Sequence, residues 1–370
     1  MIRPSALARI RKEIIMTRRI LGRILLVVVA IFGLFVLSGV LLAQGNSEMA
    51  FERVKAVQER HTDTLMGIKG VVGTAVGLDG SNGHVVIVLV EKEGLAGIPN
   101  NLGGVPVRPV VTGKIYALPR GGNGGAAKPP QPPVDPTARF PRPVPIGVST
   151  GHPAITAGTI GCRVKDTAGN VYALSNNHVY ANENDASIGD NILQPGPYDG
   201  GGKVEGRDDV IGTLFRYEPI VFSTSANNTI DAAIALSSTS QLGNATPSDG
   251  YGTPKSTTAS ALLNINASVK KYGRTTRLTK GKISAVNATV NVGYGPGKTA
   301  RFVGQIVITP GSFSAGGDSG SLIVLDGSKG RNPADDLKPV GLLFAGSSTV
   351  TVANPIGAVL SAFDVTIDGE

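Results

Sequence analysis

Ser319 sits in the stretch Ser314-Ala315-Gly316-Gly317-Asp318-Ser319-Gly320-Ser321, directly before the apolar run Leu322 to Leu325. A serine hydroxyl is a weak nucleophile until a neighbouring base takes its proton, and that base needs a third group to fix its tautomer and stabilise its charged form. The chain holds a candidate for each role. His178 closes VYALSNNHV, where a strand-like run gives way to a loop, and Asp231 heads the apolar run DAAIAL. The order His, Asp, Ser, each member beside a β-like run, is one of the known chain orders of hydrolytic triads. Gly317 adds a further element, because its amide and that of Ser319 can point into one concavity that holds a developing oxyanion.

The elements that must position these residues read as mainly β. Short runs rich in β-favouring residues, among them TAGTIGCRV, DVIGTLFRY, GKISAVNATVNV, RFVGQIVIT and VGLLFAG, alternate with turn signals from residue 146 to the end. Regular short strands over that length predict barrels or a sandwich and no βαβ alternation. The segment GYGPGKT (293–299) has valine at 292, where a phosphate loop needs its first glycine, and reads as a hairpin turn.

Upstream, residues 46–118 read as a small α/β domain. Phe51, Val54, Val57, His61 and Leu65 fall near one helical stripe, and Val71 to Leu78 and His84 to Val90 read as strands. Pro106 and Pro109 mark a third run as an edge strand. Residues 119–145 form a Gly- then Pro-rich linker that cannot bury a core and offers exposed backbone to proteases.

The chain has 370 residues and a net charge of +8, but seven basic residues and one acid lie in the first 23, so +6 of it belongs to that segment. Without tryptophan or a basic-aromatic platform, nucleic acid is not an expected partner. The basic segment leads into residues 24–43, twenty residues without a charge and long enough to span a bilayer. Residues 1–45 therefore read as a signal peptide, with Met16 an alternative start, or as an uncleaved membrane anchor. Either sends the remainder out of the cytoplasm, and the membrane is expected to be met only through this segment. Cys162 is the single cysteine, so no intramolecular disulfide forms, and the four histidines show no metal-ligand spacing. No metal and no cofactor are expected.

The blocks LSNNHV, IDAAIA and GGDSGS resemble the three catalytic blocks of trypsin/chymotrypsin-like serine proteases with the double β-barrel fold. KKYGRTTRLTKGKISAVNATVNV (270–292) is similar to the strand that opens the second barrel in secreted bacterial, alpha-lytic-type members. The resemblance covers 146–370. It implies a mainly β, two-barrel antiparallel protease domain, preceded here by the small α/β domain and an N-terminal hydrophobic helix. It implies His178 as general base and acid, Asp231 as its orienting group, Ser319 as nucleophile, Gly317 and Ser319 as oxyanion hole, and a buried ion pair between Asp318 and Arg274. A substrate pocket of Phe313, Ser314, Leu343, Phe344 and Gly346 follows. With no acid at its base, it implies a polypeptide substrate with an apolar or small residue before the scissile bond.

Two departures stand out. Cys162 lacks the partner of the usual disulfide beside the histidine, and Phe344 stands where the family commonly has a serine that supports the triad aspartate. A binding module on a protease fold and an esterase on the same triad are the competing classes. For residues 46–118 three roles stay open: a pro-region that contacts the protease domain and covers its site, a permanent recognition domain, or a passive accessory fold.

Overall fold

The computed structural model describes residues 48–118, 134–202, 208–263, 265–327 and 333–370. The expected apolar helix at 24–43 lies outside them, and among the described residues no helix is long and apolar enough to cross a membrane. The chain divides into two compact units, 1–53, of which 48–53 are described and helical, and 54–370.

The second unit starts within helix α1 (48–66). Val54, Gln58, Thr62 and Leu65 are buried, whereas Val57 and His61, expected on that face, are only partly covered. The two polar members are tolerated because Gln58 Nε2 donates to Thr74 Oγ1 at 2.8 Å and Thr62 Oγ1 donates to the Gln58 carbonyl at 2.7 Å. The strands that follow are β1 (Val71–Leu78), β2 (His84–Val90), β3 (Asn101–Leu102), β4 (Val105–Val111) and β5 (Ile115–Ala117). β4 is flanked only by β2 and the two-residue β3, so its prolines lie at a sheet margin.

Next come the short pair β6 (Ser149–Thr150) and β7 (Gly158–Thr159), then β8 (Cys162–Lys165), β9 (Val171–Ser175) and the single helical turn α2 (Asn177–Tyr180). β10 (Asn191–Leu193), β11 (Val210–Tyr217) and β12 (Ala233–Ser237) complete the first half. The second half holds β13 (Ser268–Gly273), β14 (Arg277–Gly295), β15 (Lys298–Thr309), β16 (Leu322–Leu325), β17 (Pro339–Gly346) and β18 (Thr351–Pro355). Helix α3 (Ile356–Phe363) and β19 (Thr366–Ile367) end the chain.

These strands build two antiparallel systems, in line with the mainly β, two-barrel expectation. The first runs β10-β11-β12-β9-β8-β19 around a core that includes Ile160, Leu174, Ile211 and Ile234. The second closes on itself, because β13 pairs with both β14 and β16 while β14-β15-β18-β17-β16 continues the ring. Closure leaves no free edge around this ring. β1 then adds to the outer side of β14, extending the sheet through β2 and β4. Residues 134–145, the carboxyl end of the Pro-rich stretch, lie on the first system, where Val144 is fully buried and Arg139 pairs with Asp209. Cys162 is a buried apolar filler whose thiol burial pushes well above its ordinary range.

Candidate active site

His178 and Asp231 meet directly, whereas among the described residues no hydrogen bond joins His178 to Ser319. His178 sits on α2, immediately after β9, and its backbone N–H donates to Asp231 Oδ1 at 3.2 Å. Its ring contacts Asp231 Oδ2 through Nδ1 at 2.6 Å. An ionised carboxylate only accepts, so Nδ1 carries the proton and Nε2 is left as the acceptor. Nε2 is buried and has no hydrogen-bond partner among the described residues.

Asp231, at the head of the β12 run, is fully buried. Burying a carboxylate is costly unless hydrogen bonds satisfy it. Here its Oδ2 also accepts the Tyr294 hydroxyl at 2.7 Å. Asn354 Oδ1 accepts the Asp231 backbone N–H at 3.1 Å, and Asn176 Nδ2 donates to the Asp231 carbonyl at 2.7 Å. The carboxylate is thus held from both antiparallel systems.

Ser319 lies on the turn before β16. Gly317 and Gly320 hold φ of +93° and +94°, where a side chain is strained. A Cβ at Gly320 would also come within 2.2 Å of the Thr159 carbonyl oxygen, so the turn admits no other residue there. Ser319 Oγ donates toward the Phe344 carbonyl at 3.3 Å and lies 3.5 Å from the Leu118 carbonyl.

That last contact is part of a larger arrangement. β5 runs antiparallel to the end of β17, with Ala117 opposite Ala345 and Tyr116 opposite Gly346. Leu118 continues it. Its N–H donates to the Phe344 carbonyl at 3.3 Å, and its own carbonyl accepts the Gly317 N–H at 2.9 Å. An extended stretch of the chain therefore crosses the serine with a carbonyl in contact with the Gly317 amide, one of the two expected oxyanion donors. The Leu118 side chain points along Gly346, where an added Cβ would meet it at 3.5 Å.

Of the residues expected to line a pocket, Gly346 and Phe344 meet this stretch directly. Phe313, Leu343 and Phe344 are fully buried, and Ser314 Oγ meets Thr351 Oγ1 at 2.6 Å.

The expected ion pair between Asp318 and Arg274 is not formed. Arg274 turns to Asp199, with Nε to Oδ2 at 2.6 Å and Nη2 to Oδ1 at 2.5 Å. This fork-to-fork geometry satisfies the guanidinium better than one shared oxygen. Asp318 is instead cradled by the Thr275, Thr276 and Ala315 N–H groups and by Thr276 Oγ1, with Lys271 Nζ at 3.4 Å. Lys271 is itself fully buried, donating to the Arg277 carbonyl at 3.0 Å and to Thr276 Oγ1. Burial pulls its ammonium below the ordinary lysine range, against the upward pull of Asp318. Lys271→Met leaves Asp318 as a buried carboxylate without its cation and is expected to cost about 3–5 kcal/mol of stability in denaturant unfolding. A cost under about 1 kcal/mol would show that the backbone cradle alone carries the charge.

Sequence reasoning missed Tyr294, Leu118, Lys271, Asp199 and Asn354. Each acts across a distance of tens to hundreds of residues; Tyr294 lay in the GYGPGKT turn and Lys271 in the run 270–292, both already singled out, but neither stretch names its partner.

No family profile matches the chain. Its sequence is similar to glutamyl endopeptidase 2 of Streptomyces griseus, 30% identical in an alignment of 128 residues that covers 31% of this chain. The chain spans about half of that relative, 55% of its length. Among solved structures, a glutamic-acid-specific serine protease that uses a histidine triad in substrate binding aligns with TM-score 0.42 and 21% identity over 60% of this chain and all of that one. Thermobifida fusca protease A aligns with TM-score 0.43 and 18% identity over 61% of this chain and all of that one. In its blocks around His178, Asp231 and Ser319, and in its two antiparallel strand systems, the chain resembles the trypsin/chymotrypsin-like serine proteases with the double β-barrel fold.

Proposed function

We propose that the chain is a serine endopeptidase that works outside the cytoplasm and is held shut by its own residues 115–118. In this reading His178 Nε2 takes the Ser319 proton as Oγ attacks the carbonyl carbon of a bound peptide. The Gly317 and Ser319 amides receive the resulting oxyanion, while Asp231 stabilises the imidazolium. His178 returns the proton to the departing amine, leaving an acyl-enzyme, and then activates a water whose attack frees Ser319. The observation that carries the reading is the Leu118 backbone. Its carbonyl contacts the Gly317 amide at 2.9 Å and Ser319 Oγ at 3.5 Å, and its N–H bonds the Phe344 carbonyl. A polypeptide in extended form lies across Ser319, as a substrate of this chemistry would. Export rests on the charge-free stretch 24–43 behind a basic segment.

The pocket supports an apolar or small residue before the scissile bond. The Leu118 side chain lies beside Gly346, and the hydroxyl pair that the expected pocket residue Ser314 makes with Thr351 is uncharged. A second reading, cleavage after glutamate, is favoured by the relative's name. Lys271 is the cation near Phe313, 5.9 Å from its ring centroid, but it is bound to Asp318 and offers no free positive charge. The test is a panel of peptides differing only in the residue before the bond: Leu, Ala, Glu or Lys. The chain, nicked in the 119–133 stretch, is expected to cleave Leu or Ala at least about tenfold faster in kcat/KM than Glu, the discrimination expected when a buried site lacks a partner for a charge. The reverse order would assign it the relative's specificity.

A further inference from the structure

We propose that Tyr294 is a positioning residue of the triad: its phenol donates to Asp231 Oδ2 and so holds His178 as the Nδ1–H tautomer, with Nε2 open to Ser319. The inference rests on the serine-protease reading and deepens it. Asp231 Oδ2 is shared by two donors, His178 Nδ1 at 2.6 Å and Tyr294 Oη at 2.7 Å. The residue at 344 is phenylalanine, whose side chain has nothing to donate, so a support that the resemblance places at that position has to come from elsewhere. It comes from an arm of the second barrel. β14 and β15 form a long hairpin, and Tyr294 lies beside its turn, brought over the first barrel's carboxylate.

The arm is fixed on every side. The Tyr294 ring meets the His178 ring edge-on at 6.0 Å between centroids and Phe222 at 5.4 Å, and it tilts on Phe302 at 6.3 Å. Beyond the turn, Lys298 Nζ bonds Glu183 Oε2 at 2.9 Å and lies 5.0 Å over the Phe222 ring. Asn228, three residues before Asp231, donates through its backbone N–H to the Arg301 carbonyl at 3.1 Å. On the other flank Gly293 pairs with Tyr116 of the segment that crosses the serine. A group merely filling space at the hairpin tip would not need its hydroxyl aimed at a buried carboxylate. Burial and the Asp231 charge raise the phenol well above its ordinary range, so it remains a donor at neutral pH.

The deciding experiment pairs kinetics with the proton between His178 and Asp231. In Tyr294→Phe, measured in the full chain after nicking in the 119–133 stretch, kcat is expected to fall about 10- to 100-fold, the scale on which losing a partner that orients a functional histidine acts. KM should stay within about twofold, since Tyr294 acts on Asp231 and His178 and makes no contact with substrate in this proposal. In the intact chain, the downfield Nδ1–H resonance of 15N-labelled His178 should move. Replacing Tyr294 by 3-fluorotyrosine, which keeps the ring and strengthens the donor, should move the same resonance even if Tyr294→Phe folds poorly. An active wild type with unchanged kcat in Tyr294→Phe and an unmoved resonance in the fluorinated chain would overturn the inference. An inactive wild type would instead sink the protease reading, with the resonance still reporting whether the phenol acts on the pair.

Discussion

Ser319→Ala is expected to lower kcat by roughly 10⁶-fold in the nicked chain, with KM changed little. The size follows from how a hydrolytic triad acts. Nucleophile and base work as one unit, so removing either forfeits nearly the whole of their joint contribution. What remains comes from an oxyanion hole and a substrate groove that do not need the hydroxyl. His178→Ala should therefore be about as damaging, and the double variant no worse than either single one. Ser319 is almost fully buried and its turn is fixed by the backbone of Asp318, Gly320 and Ser321. Losing one oxygen there should leave the unfolding temperature nearly unchanged. A Ser319→Ala chain that retains a tenth of its activity would place the chemistry elsewhere.

The second large effect concerns the segment that crosses the serine. Leu118→Gly is expected to speed reaction of Ser319 with a small phosphonylating probe by roughly 5- to 30-fold in the intact chain. Leu118 is half-buried, so its side chain contributes about 1–2 kcal/mol of the 1.5–3 kcal/mol that complete burial of a leucine is worth. At about 1.4 kcal/mol per factor of ten, that converts to the stated range. The backbone bonds from Gly317 to Leu118 and from Leu118 to Phe344 persist in the variant, so opening is partial. Cutting the 119–133 stretch should open the site further, because a tethered segment competes at a high effective concentration that cleavage abolishes. A Leu118→Gly chain that reacts no faster than wild type would show that the segment does not limit access.

Much of the site was legible because its parts are local. His178 at a strand end, Asp231 at the head of an apolar run and Ser319 between glycines each leave a trace in a window of a few residues. The runs Val71 to Leu78 and His84 to Val90 likewise fold as strands with those bounds, since their composition suits a pleated, buried sheet. What the sequence hid lies in partner choice. Lys271 and Arg274 are three residues apart, and nothing local says which of them meets Asp318. The choice is made by Asp199, 75 residues from Arg274, which the folded first half brings within reach of its fork. Helix α1 makes the same point on a smaller scale. Its buried face includes Gln58 and Thr62, which an apolar stripe cannot reveal because the hydroxyl of Thr74 that receives Gln58 lies on another element. Tyr294 was in view as part of a turn, but its meeting with Asp231 requires two antiparallel systems to be docked.

The most direct test of the account is covalent labelling of the chain with a fluorophosphonate, with the modified residue found by mass spectrometry. The probe reacts with a serine only when a base has activated it. Labelling confined to Ser319, slow in the intact chain, faster once the 119–133 stretch is cut and absent in His178→Ala, is the predicted result. A folded chain that shows no label at Ser319 either before or after the cut would contradict it and leave a cleft that binds peptides without cleaving them.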